Sequence, residues 1–237
     1  MPAAKFFEAA SLEELNARIV KCNLCPRLRA HCTEIARVRR RAYVEWEYWG
    51  RPVPSFGDPL ARVLALGLAP GAHGYNRTGR PFTGDGSGDF LYPVLHEAGF
   101  ASQRTAFSRS DGMKLHGLWI TSMARCAPPG NKPTPEELRN CAPWLDREIG
   151  LLTNLRVVVC LGRIAFDGLL VHLRRAGVDG MPPRSSLAFA HGAEFALPNG
   201  WTAIASFHPS LQNTNTGRLT AEMLLAVFRR ARELAGL

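Results

Sequence analysis

The sequence predicts an α/β fold in which a parallel sheet is covered by helices on both faces. Four short apolar runs, each followed by a helical pattern, predict the strands, at residues 62–67, 118–122, 155–161 and 201–206. Continuous apolar strands that alternate with helices are typical of a parallel sheet buried on both sides. No long linker divides the 237 residues, so one domain over residues 1–237 is predicted, with two small domains as the alternative.

The segment before the first predicted strand contributes two helices and a loop. Ser11 and Glu14 have the spacing of a capping box, which predicts that an amphipathic helix begins just after Ser11. A basic helix is predicted over residues 27–41, where apolar residues recur at helical spacing. Residues 42–58 are rich in aromatic residues and proline and are predicted to form a loop.

Four further helices are predicted between and after the strands, over residues 88–98, 134–149, 163–176 and 216–234. Ser87 is the candidate N-cap of the first of these helices. A short hairpin is predicted within residues 185–197. Because ligands of such sheets bind beyond the carboxyl ends of the strands, the loops that follow the four strands are the candidate site.

Composition and charge narrow the class of protein. The chain has 29 Lys+Arg against 20 Asp+Glu, a net charge of +9, and only four of the basic residues are lysines. This excess of arginine fits a polyanionic partner such as nucleic acid. The alternative explanation is a GC-rich genome, which encodes arginine throughout its proteins. The apolar runs are far shorter than the roughly 20 residues of a membrane span. Residues 1–10 lack the pattern of a secretory signal, so a cytoplasmic protein is predicted.

The chain has six cysteines, and four of them are spaced as candidate metal ligands: Cys22, Cys25, Cys126 and Cys141. In a cytosolic enzyme such clusters more often bind metal than form disulfides. Both zinc and an iron–sulfur cluster accept four thiolates, so the residues leave that choice open. Cys32 is a less favoured ligand, Cys160 is predicted to be core, and four unrelated buried thiols are the remaining alternative.

The loop at residues 67–87 is rich in glycine, which allows a ligand to approach the backbone closely. Its spacing matches neither a Walker loop nor a dinucleotide-binding motif. Phe82 in this loop is a candidate platform for stacking a flat base. His208 lies where the last predicted strand ends, beside Ser and Asn residues, and is a candidate for catalysis or binding. A structured loop without chemistry and an ordinary surface histidine are the alternatives.

Together these segments resemble the iron–sulfur uracil-DNA glycosylases. Residues 67–74 (GLAPGAHG) and 80–85 (RPFTGD) resemble the first motif of that superfamily, residues 208–210 (HPS) resemble its last motif, and the four cysteines resemble its cluster ligands. Residues 46–49 (WEYW), 76–79 (NRTG) and 215–220 (NTGRLT) are similar to the family 5 group, also called UDGb. The resemblance covers most of the chain, from Cys22 to Thr220, in the expected order.

The resemblance implies a three-layer α/β/α sandwich with a four-stranded parallel sheet. It also implies a [4Fe-4S] cluster, which would tie the N-terminal helices, about residues 11–41, to the sheet through Cys22, Cys25, Cys126 and Cys141. The implied activity is monofunctional hydrolysis of the N-glycosidic bond of uracil and other deaminated or damaged bases flipped out of DNA, in base excision repair. The expected partner is double- or single-stranded DNA, and the expected state is a monomer.

Three positions differ from related groups. Classical uracil glycosylases have Asp where this chain has Ala69, family 4 enzymes have Glu at the place of Leu68, and both read the base with Asn where Ser122 stands here. These departures match family 5. Without the amide that reads uracil, selectivity is expected to be loose, with thymine derivatives and hypoxanthine as further candidate substrates.

Roles follow for individual residues. His208 is expected to donate a hydrogen bond to the base carbonyl, Asp85 to orient water or balance charge on the sugar, and Asn131 to position the water. Candidate base-binding residues are Gly67, Ala69, Pro70, Gly71, Phe82 and Ser122. Candidate DNA contacts are Arg77, Arg80, Lys132, Ser210, Leu211, Gln212, Asn213 and Arg218, with residues 211–213 as a wedge. A redox protein and a non-catalytic DNA-binding module are the rival functions.

Overall fold

A computed structural model describes residues 7–237 of the chain. Residues 1–6, part of the segment considered for a secretory signal, lie outside the described residues. Within the described part, no helix is both long enough and apolar enough to cross a membrane.

One six-stranded sheet organises the molecule. Its strands are β1 (Phe56–Gly57), β2 (Val63–Gly67), β3 (Leu118–Ser122), β4 (Val157–Leu161), β5 (Glu194–Ala196) and β6 (Thr202–Ser206), in the order β1-β3-β2-β4-β6-β5. The four central strands are parallel, and the pairs Gly67–Ser122 and Leu161–Ser206 place their carboxyl ends at one edge. The predicted α/β class and parallel core are therefore confirmed.

Two edge strands make the sheet larger than the four strands that were predicted. β1 pairs antiparallel with β3, and β5 pairs antiparallel with β6. The hairpin predicted within residues 185–197 is wrong, because β5 forms its hairpin with β6 instead. β1 and β5 are two and three residues long, which is too short for a periodic pattern to show in the sequence.

Eight α-helices in the described part surround the sheet. They are α1 (Leu12–Ile19), α2 (Pro26–Val38), α3 (Tyr75–Thr78), α4 (Gly86–Glu97), α5 (Pro135–Leu151), α6 (Arg163–Arg175), α7 (Leu211–Asn215) and α8 (Ala221–Leu234). The helix predicted over residues 216–234 instead begins at Ala221, because Gly217 adopts a left-handed φ of 69° and Thr220 caps α8 by accepting a hydrogen bond from the Met223 N–H at 3.2 Å.

Alternate residues of the central strands face opposite layers. Val63 and Ala65 of β2 lie in a core with residues of α4 and α8, whereas Leu64 and Leu66 lie in a second core with residues of α5 and α6. This alternation explains why the strands read as unbroken apolar runs, since both faces are buried. The three layers are helix, sheet and helix, as the resemblance implies.

The N-terminal helices pack on the edge of this sandwich near its cysteines. The Ser11 hydroxyl accepts a hydrogen bond from the Glu14 N–H at 3.2 Å, while the Glu14 carboxylate accepts one from the Ala10 N–H at 2.7 Å. The reciprocal bond of the capping box is therefore displaced by one residue. α1 packs against Trp144 of α5, and α2 packs against the loop after β3.

Candidate active site

A cleft with a volume of about 730 Å³ opens at the carboxyl ends of the central strands. Three segments form most of its wall: the loop after β2, the start of α4 and the loop after β6. Its lining residues are Leu68, Ala69, Pro70, Gly71, Ala72, His73, Gly74, Tyr75, Phe82, Asp85, Gly86, Ser87, Asn131, His208, Ser210, Leu211 and Gln212. The cleft lies where a doubly covered parallel sheet is expected to bind its ligand.

Asp85 is held at the cleft by both hydrogen bonding and close packing. It is the N-cap of α4, and its Oδ1 accepts a hydrogen bond from the Gly88 N–H at 3.0 Å, so the expectation that Ser87 caps this helix is wrong. A Cβ at Gly74 would lie 1.7 Å from Asp85 Oδ2, and one at Gly71 would lie 3.3 Å from it. Only glycine at residue 74 leaves room for this carboxylate. Burial raises the pKa of Asp85.

His208 presents an uncharged imidazole to the cleft. Burial lowers the pKa of its ring to about 4, so the ring is neutral near pH 7. Its backbone carbonyl accepts hydrogen bonds from the Asn213 side-chain amide and the Ser210 N–H, each at 2.8 Å. No residue of the described part hydrogen-bonds its ring nitrogens, which leaves them free for a ligand.

Phe82 packs beneath the histidine and is itself buried. The ring centroids of Phe82 and His208 are 5.8 Å apart with a tilt of 35°, and Tyr75 meets the Phe82 ring edge-on at 5.1 Å. Phe82 has a left-handed φ of 49°, and a Cβ at Gly88 would lie 1.9 Å from its carbonyl oxygen. The turn that places the Phe82 ring therefore depends on glycine at residue 88.

Gly67 and Ser122 lie behind the cleft. Both residues are buried at the ends of neighbouring strands, and a Cβ at Gly67 would lie 3.6 Å from the Ser122 hydroxyl and 3.7 Å from the ring of Phe82. Neither residue lines the cleft. The other four predicted base-binding residues, Ala69, Pro70, Gly71 and Phe82, do line the cleft.

Arg77 is not the free phosphate contact that was expected, because its guanidinium is buried inside the protein. Its Nε donates to the His73 carbonyl at 2.7 Å, and its Nη2 donates to the Gly84 carbonyl. The same group lies 4.0 Å from the ring centroid of Tyr43 and 4.2 Å from that of Trp46. Arg77 thus fixes the aromatic loop to the wall of the cleft.

Arg80 is likewise wrong as a phosphate contact. Its guanidinium is buried and makes two hydrogen bonds of 2.7 Å to the carboxylate of Asp111, a paired geometry that leaves little for a ligand. Lys132 and Arg218 are exposed instead, and Arg218 lies over the ring of Phe207 at 4.5 Å. Neither residue lines the cleft, and neither does Asn213.

The remaining predicted site residues reach the cleft from two sides. Asn131 ends a short 3-10 helix, Pro129–Asn131, with a left-handed φ of 57°. On the opposite side, Ser210, Leu211 and Gln212 begin α7, where Leu211 is 56% exposed and packs over Gly86. Asn131 and residues 210–212 are therefore brought together with Asp85 and His208, although they are distant in sequence.

His73 and Tyr75 are cleft residues that were not among the predicted site residues. His73 Nδ1 and the Tyr48 hydroxyl are 3.0 Å apart, and burial lowers the pKa of His73. Both residues belong to the glycine-rich loop, so the sequence signal for them was the loop itself. Nothing in their spacing sets them apart from their neighbours.

A second hollow, called the thiol pocket here, lies between the N-terminal helices and the sheet. It is lined by Cys22, Cys25, Cys126 and Cys141 together with Leu24, Leu28, Arg29, Pro52, Arg125 and Asn140. The four cysteines spaced as ligands thus surround one space. Cys32 and Cys160 do not line it: Cys32 packs behind Cys126, and Cys160 lies in the core of β4.

Hydrogen-bond donors and buried cations suit the thiol pocket to thiolates. The Arg125 N–H donates to Cys141 Sγ at 3.3 Å, and the Asn140 side-chain amide donates to Cys25 Sγ at 3.8 Å. Burial raises the pKa of Cys141 to about 12. Within residues 7–237, no three metal-binding side chains are arranged to hold a single ion.

Comparison with known proteins gives consistent findings. The profile of the uracil DNA glycosylase superfamily matches residues 54–232. The type-5 uracil-DNA glycosylase of Thermus thermophilus is 55% identical over 219 residues, which is 92% of this chain and 96% of that protein. The type-5 uracil-DNA glycosylase of Mycobacterium bovis is 48% identical over 97% of this chain and 84% of its own length. The type-5 uracil-DNA glycosylase of Pyrobaculum aerophilum is 45% identical over 92% of this chain and 91% of its own length.

Proposed function

The chain belongs to the type-5 uracil-DNA glycosylases of the uracil-DNA glycosylase superfamily, and from this premise we propose how it hydrolyses the N-glycosidic bond of uracil in DNA during base excision repair. One observation carries the proposal: a neutral histidine with free ring nitrogens and a buried carboxylate meet in one cleft beside glycine-rich backbone. The reaction needs a group that stabilises the departing base and a group that acts near the sugar.

His208 stabilises the leaving base. As the bond to the sugar breaks, negative charge develops on the carbonyl oxygens of uracil, and a neutral imidazole N–H donates a hydrogen bond to that charge. The backbone N–H groups of Ala69 and Gly71 add further donors along the same wall. Each donor placed in this way is typically worth about 3–4 kcal/mol of transition-state stabilisation.

Asp85 acts near the sugar. Its Oδ2 faces the backbone of Gly71 and Gly74, and its ionised form balances the oxocarbenium-like charge or orients the attacking water. Asn131 lies on the same cleft and positions that water. A normal rate in the Asp85→Asn variant would remove the carboxylate from this mechanism.

The range of substrates is expected to extend beyond uracil. Position 122 is a buried serine that does not line the cleft, so no side-chain amide at that position reads the edge of the base. Phe82 offers a stacking surface, which every flat base can use. We therefore propose that thymine derivatives and hypoxanthine are also released, and a profile strictly limited to uracil would contradict this breadth.

DNA is held by groups around the cleft. Lys132 and Arg218 are exposed cations suited to phosphates, and Leu211 with Gln212 and Asn213 forms a wedge that fills the place of the extruded base. Ser210 begins this segment at the edge of the cleft. Both duplex and single-stranded DNA are proposed substrates, and the acting form is a single-domain monomer.

We also propose that the thiol pocket holds a [4Fe-4S] cluster through Cys22, Cys25, Cys126 and Cys141. Two features support this: the four thiols line one hollow, and N–H groups already donate to two of the sulfurs. The cluster would tie α1 and α2 to the sheet. It requires reduced thiols, which fits a cytoplasmic location.

One assay separates the candidate functions. The protein is incubated with a duplex that contains one uracil, and the strand is then treated with alkali, which breaks it wherever a base is missing. We expect breaks only after alkali, as a glycosylase without lyase activity gives. Binding without breaks would favour a non-catalytic DNA-binding module, and reversible reduction without base release would favour a redox protein.

A further inference from the structure

Two arginines that line the thiol pocket, the half-buried Arg29 and the buried Arg125, each have a hydrogen-bond donor without a partner. Arg29 Nη1 and Arg125 Nε are both inaccessible to solvent, and neither finds an acceptor within the described part of the chain. Both residues line the thiol pocket. A buried donor without a partner costs about 1–3 kcal/mol, and more when the group is charged, so an acceptor is missing at this place.

Arg29 approaches the pocket from α2. Its Nη2 donates to the Gly50 carbonyl at 3.1 Å, which fixes the plane of the guanidinium and leaves Nη1 turned away from that carbonyl. No carboxylate in the described part pairs with Arg29.

Arg125 approaches from the loop after β3, between two of the cysteines. Its Nη2 donates to Glu148 at 2.6 Å and its Nη1 donates to the Ser55 hydroxyl, while its backbone N–H donates to Cys141 Sγ at 3.3 Å. Both Nη atoms and the backbone N–H therefore have partners, and Nε is the one nitrogen of Arg125 left without an acceptor. The side chain is rigidly oriented by these bonds, so the free donor is not an accident of a flexible group.

We infer that Arg29 and Arg125 donate their free N–H groups to the sulfur atoms of the proposed iron–sulfur cluster and offset its negative charge. This inference rests on the cluster proposed above. Four thiolates and the sulfides of a cluster bring buried negative charge. Their sulfur atoms would supply the hydrogen-bond acceptors that Arg29 Nη1 and Arg125 Nε lack. Positive charge next to such a centre favours its reduced form, so the two arginines raise its reduction potential.

The acidic residues near the thiol pocket do not remove this effect. Glu137 is paired with Arg27 by two hydrogen bonds of 2.7 and 2.8 Å, and Glu148 is shared among Arg125, Trp119 and Thr121. Of the two inferred donors, Arg29 is therefore the one whose charge is not already countered. We expect its replacement to have the larger effect on the cluster.

The test uses the full-length protein purified with its cluster, without oxygen. Iron and sulfide are measured first in the unmodified protein, which tests the cluster independently of the arginines. Midpoint potential is then measured by voltammetry for wild type, Arg29→Gln and Arg37→Gln. Arg37 is the matched control because it is an exposed arginine of the same helix, paired with Glu34.

We expect Arg29→Gln to shift the midpoint potential to more negative values and to lose its visible absorption about 10-fold faster in the presence of a chelator. Arg37→Gln should match wild type in both measurements. Equal potentials for all three proteins would overturn the inference. A wild-type protein that binds no iron would overturn the cluster proposal, while leaving the glycosylase assay to be judged separately.

A second set of variants guards against misfolding. Arg29→Lys keeps the positive charge, so it should stay closer to the wild-type potential than Arg29→Gln. For Arg125, the double variant Arg125→Gln with Glu148→Gln removes both members of the buried pair together, which avoids leaving Glu148 unpaired. We expect a negative shift there too, and an unchanged potential would exclude Arg125 from this role.

Discussion

At the scale of single residues, the proposed chemistry depends on two side chains whose protonation is set by burial. Burial keeps His208 neutral and raises the pKa of Asp85. A neutral imidazole still carries one ring N–H, so it can donate a hydrogen bond to a base that leaves as an anion. It does so without placing a buried positive charge in the cleft. The same burial makes both residues costly to the fold in their charged forms.

His208 should therefore leave a mark on the pH dependence of stability. Its pKa is about 4 in the folded protein and near 6.5 when exposed, so the unfolded chain binds the proton more tightly between these values. The free energy of unfolding falls as pH drops through this window. Between about pH 7 and pH 5, the free energy of unfolding of His208→Asn should fall by about 2 kcal/mol less than that of the wild type. Urea unfolding at both pH values measures it.

Base release by the same variant supplies the second half of this prediction. Loss of one well-placed donor should reduce the single-turnover rate by about 10²–10³-fold. His191, whose pKa burial also lowers, remains in both proteins, so the difference between them isolates His208. A variant with wild-type slope and wild-type rate would exclude the proposed role.

Gly74 should be as important as the carboxylate it accommodates. Alanine there would place a methyl group 1.7 Å from Asp85 Oδ2, so the carboxylate must move. A displacement of this size costs about 10²-fold in rate when a catalytic group is misplaced. Gly71→Ala, with 3.3 Å to the same oxygen, is the matched control and should change the rate much less. Equal rates for the two variants would contradict this account.

The sequence predicted which residues line the cleft better than it predicted whether the nearby arginines are free to bind DNA. Asp85, Asn131 and His208 meet as expected because they follow three strands whose carboxyl ends share one edge. Arg77 and Arg80 failed because their carbonyl, aromatic and carboxylate partners are set by tertiary packing. A sequence shows that an arginine is near a site, but not which partner it has taken.

At the scale of secondary-structure elements, α7 is the piece suited to enter DNA. It is only five residues long, follows directly from the turn that holds His208, and exposes Leu211 at the mouth of the cleft. A side chain in this place fills the gap that a flipped nucleotide leaves. Its contribution should matter only where a base stack exists to be opened.

Leu211→Ala should therefore slow uracil release from duplex DNA by about tenfold or more, with a smaller loss on single-stranded DNA. Leu60→Ala is the control, because Leu60 is 70% exposed but lies before β2, at the opposite end of the sheet. Rates on the two substrates are compared for each variant. Equal losses on both kinds of DNA would show that Leu211 is not a wedge.

The central elements were predictable and the marginal ones were not. β2, β3, β4 and β6 are buried on both faces, which produces the unbroken apolar runs seen in the sequence. The start of α4 was misplaced because Asp85 caps it, two residues before the predicted cap Ser87. Capping by Asp or by a nearby Ser is equally plausible from sequence, and only the backbone geometry decides between them.

At the scale of the whole molecule, the net charge of +9 predicts binding that weakens steeply with salt. Lys132→Gln and Arg218→Gln should each reduce the slope of log affinity against log salt by about 0.9. The control is Arg156→Gln, since Arg156 is exposed just before β4, at the far end of the sheet from the cleft. Titration of an undamaged duplex at several salt concentrations measures the slopes. An unchanged slope for Lys132→Gln or Arg218→Gln would remove that residue from the phosphate contacts.

The two short antiparallel strands at the sheet edges have a consequence for behaviour at high concentration. An open edge of a long parallel sheet would offer a row of unpaired amides to a neighbouring molecule, whereas two or three residues offer few. Gly57 presses β1 so closely on Leu118 that a Cβ there would come within 2.3 Å of its carbonyl oxygen. A bulkier residue at position 57 would displace β1 from β3. The free edge of β3 could then pair with a strand of another molecule, which would lead to self-association.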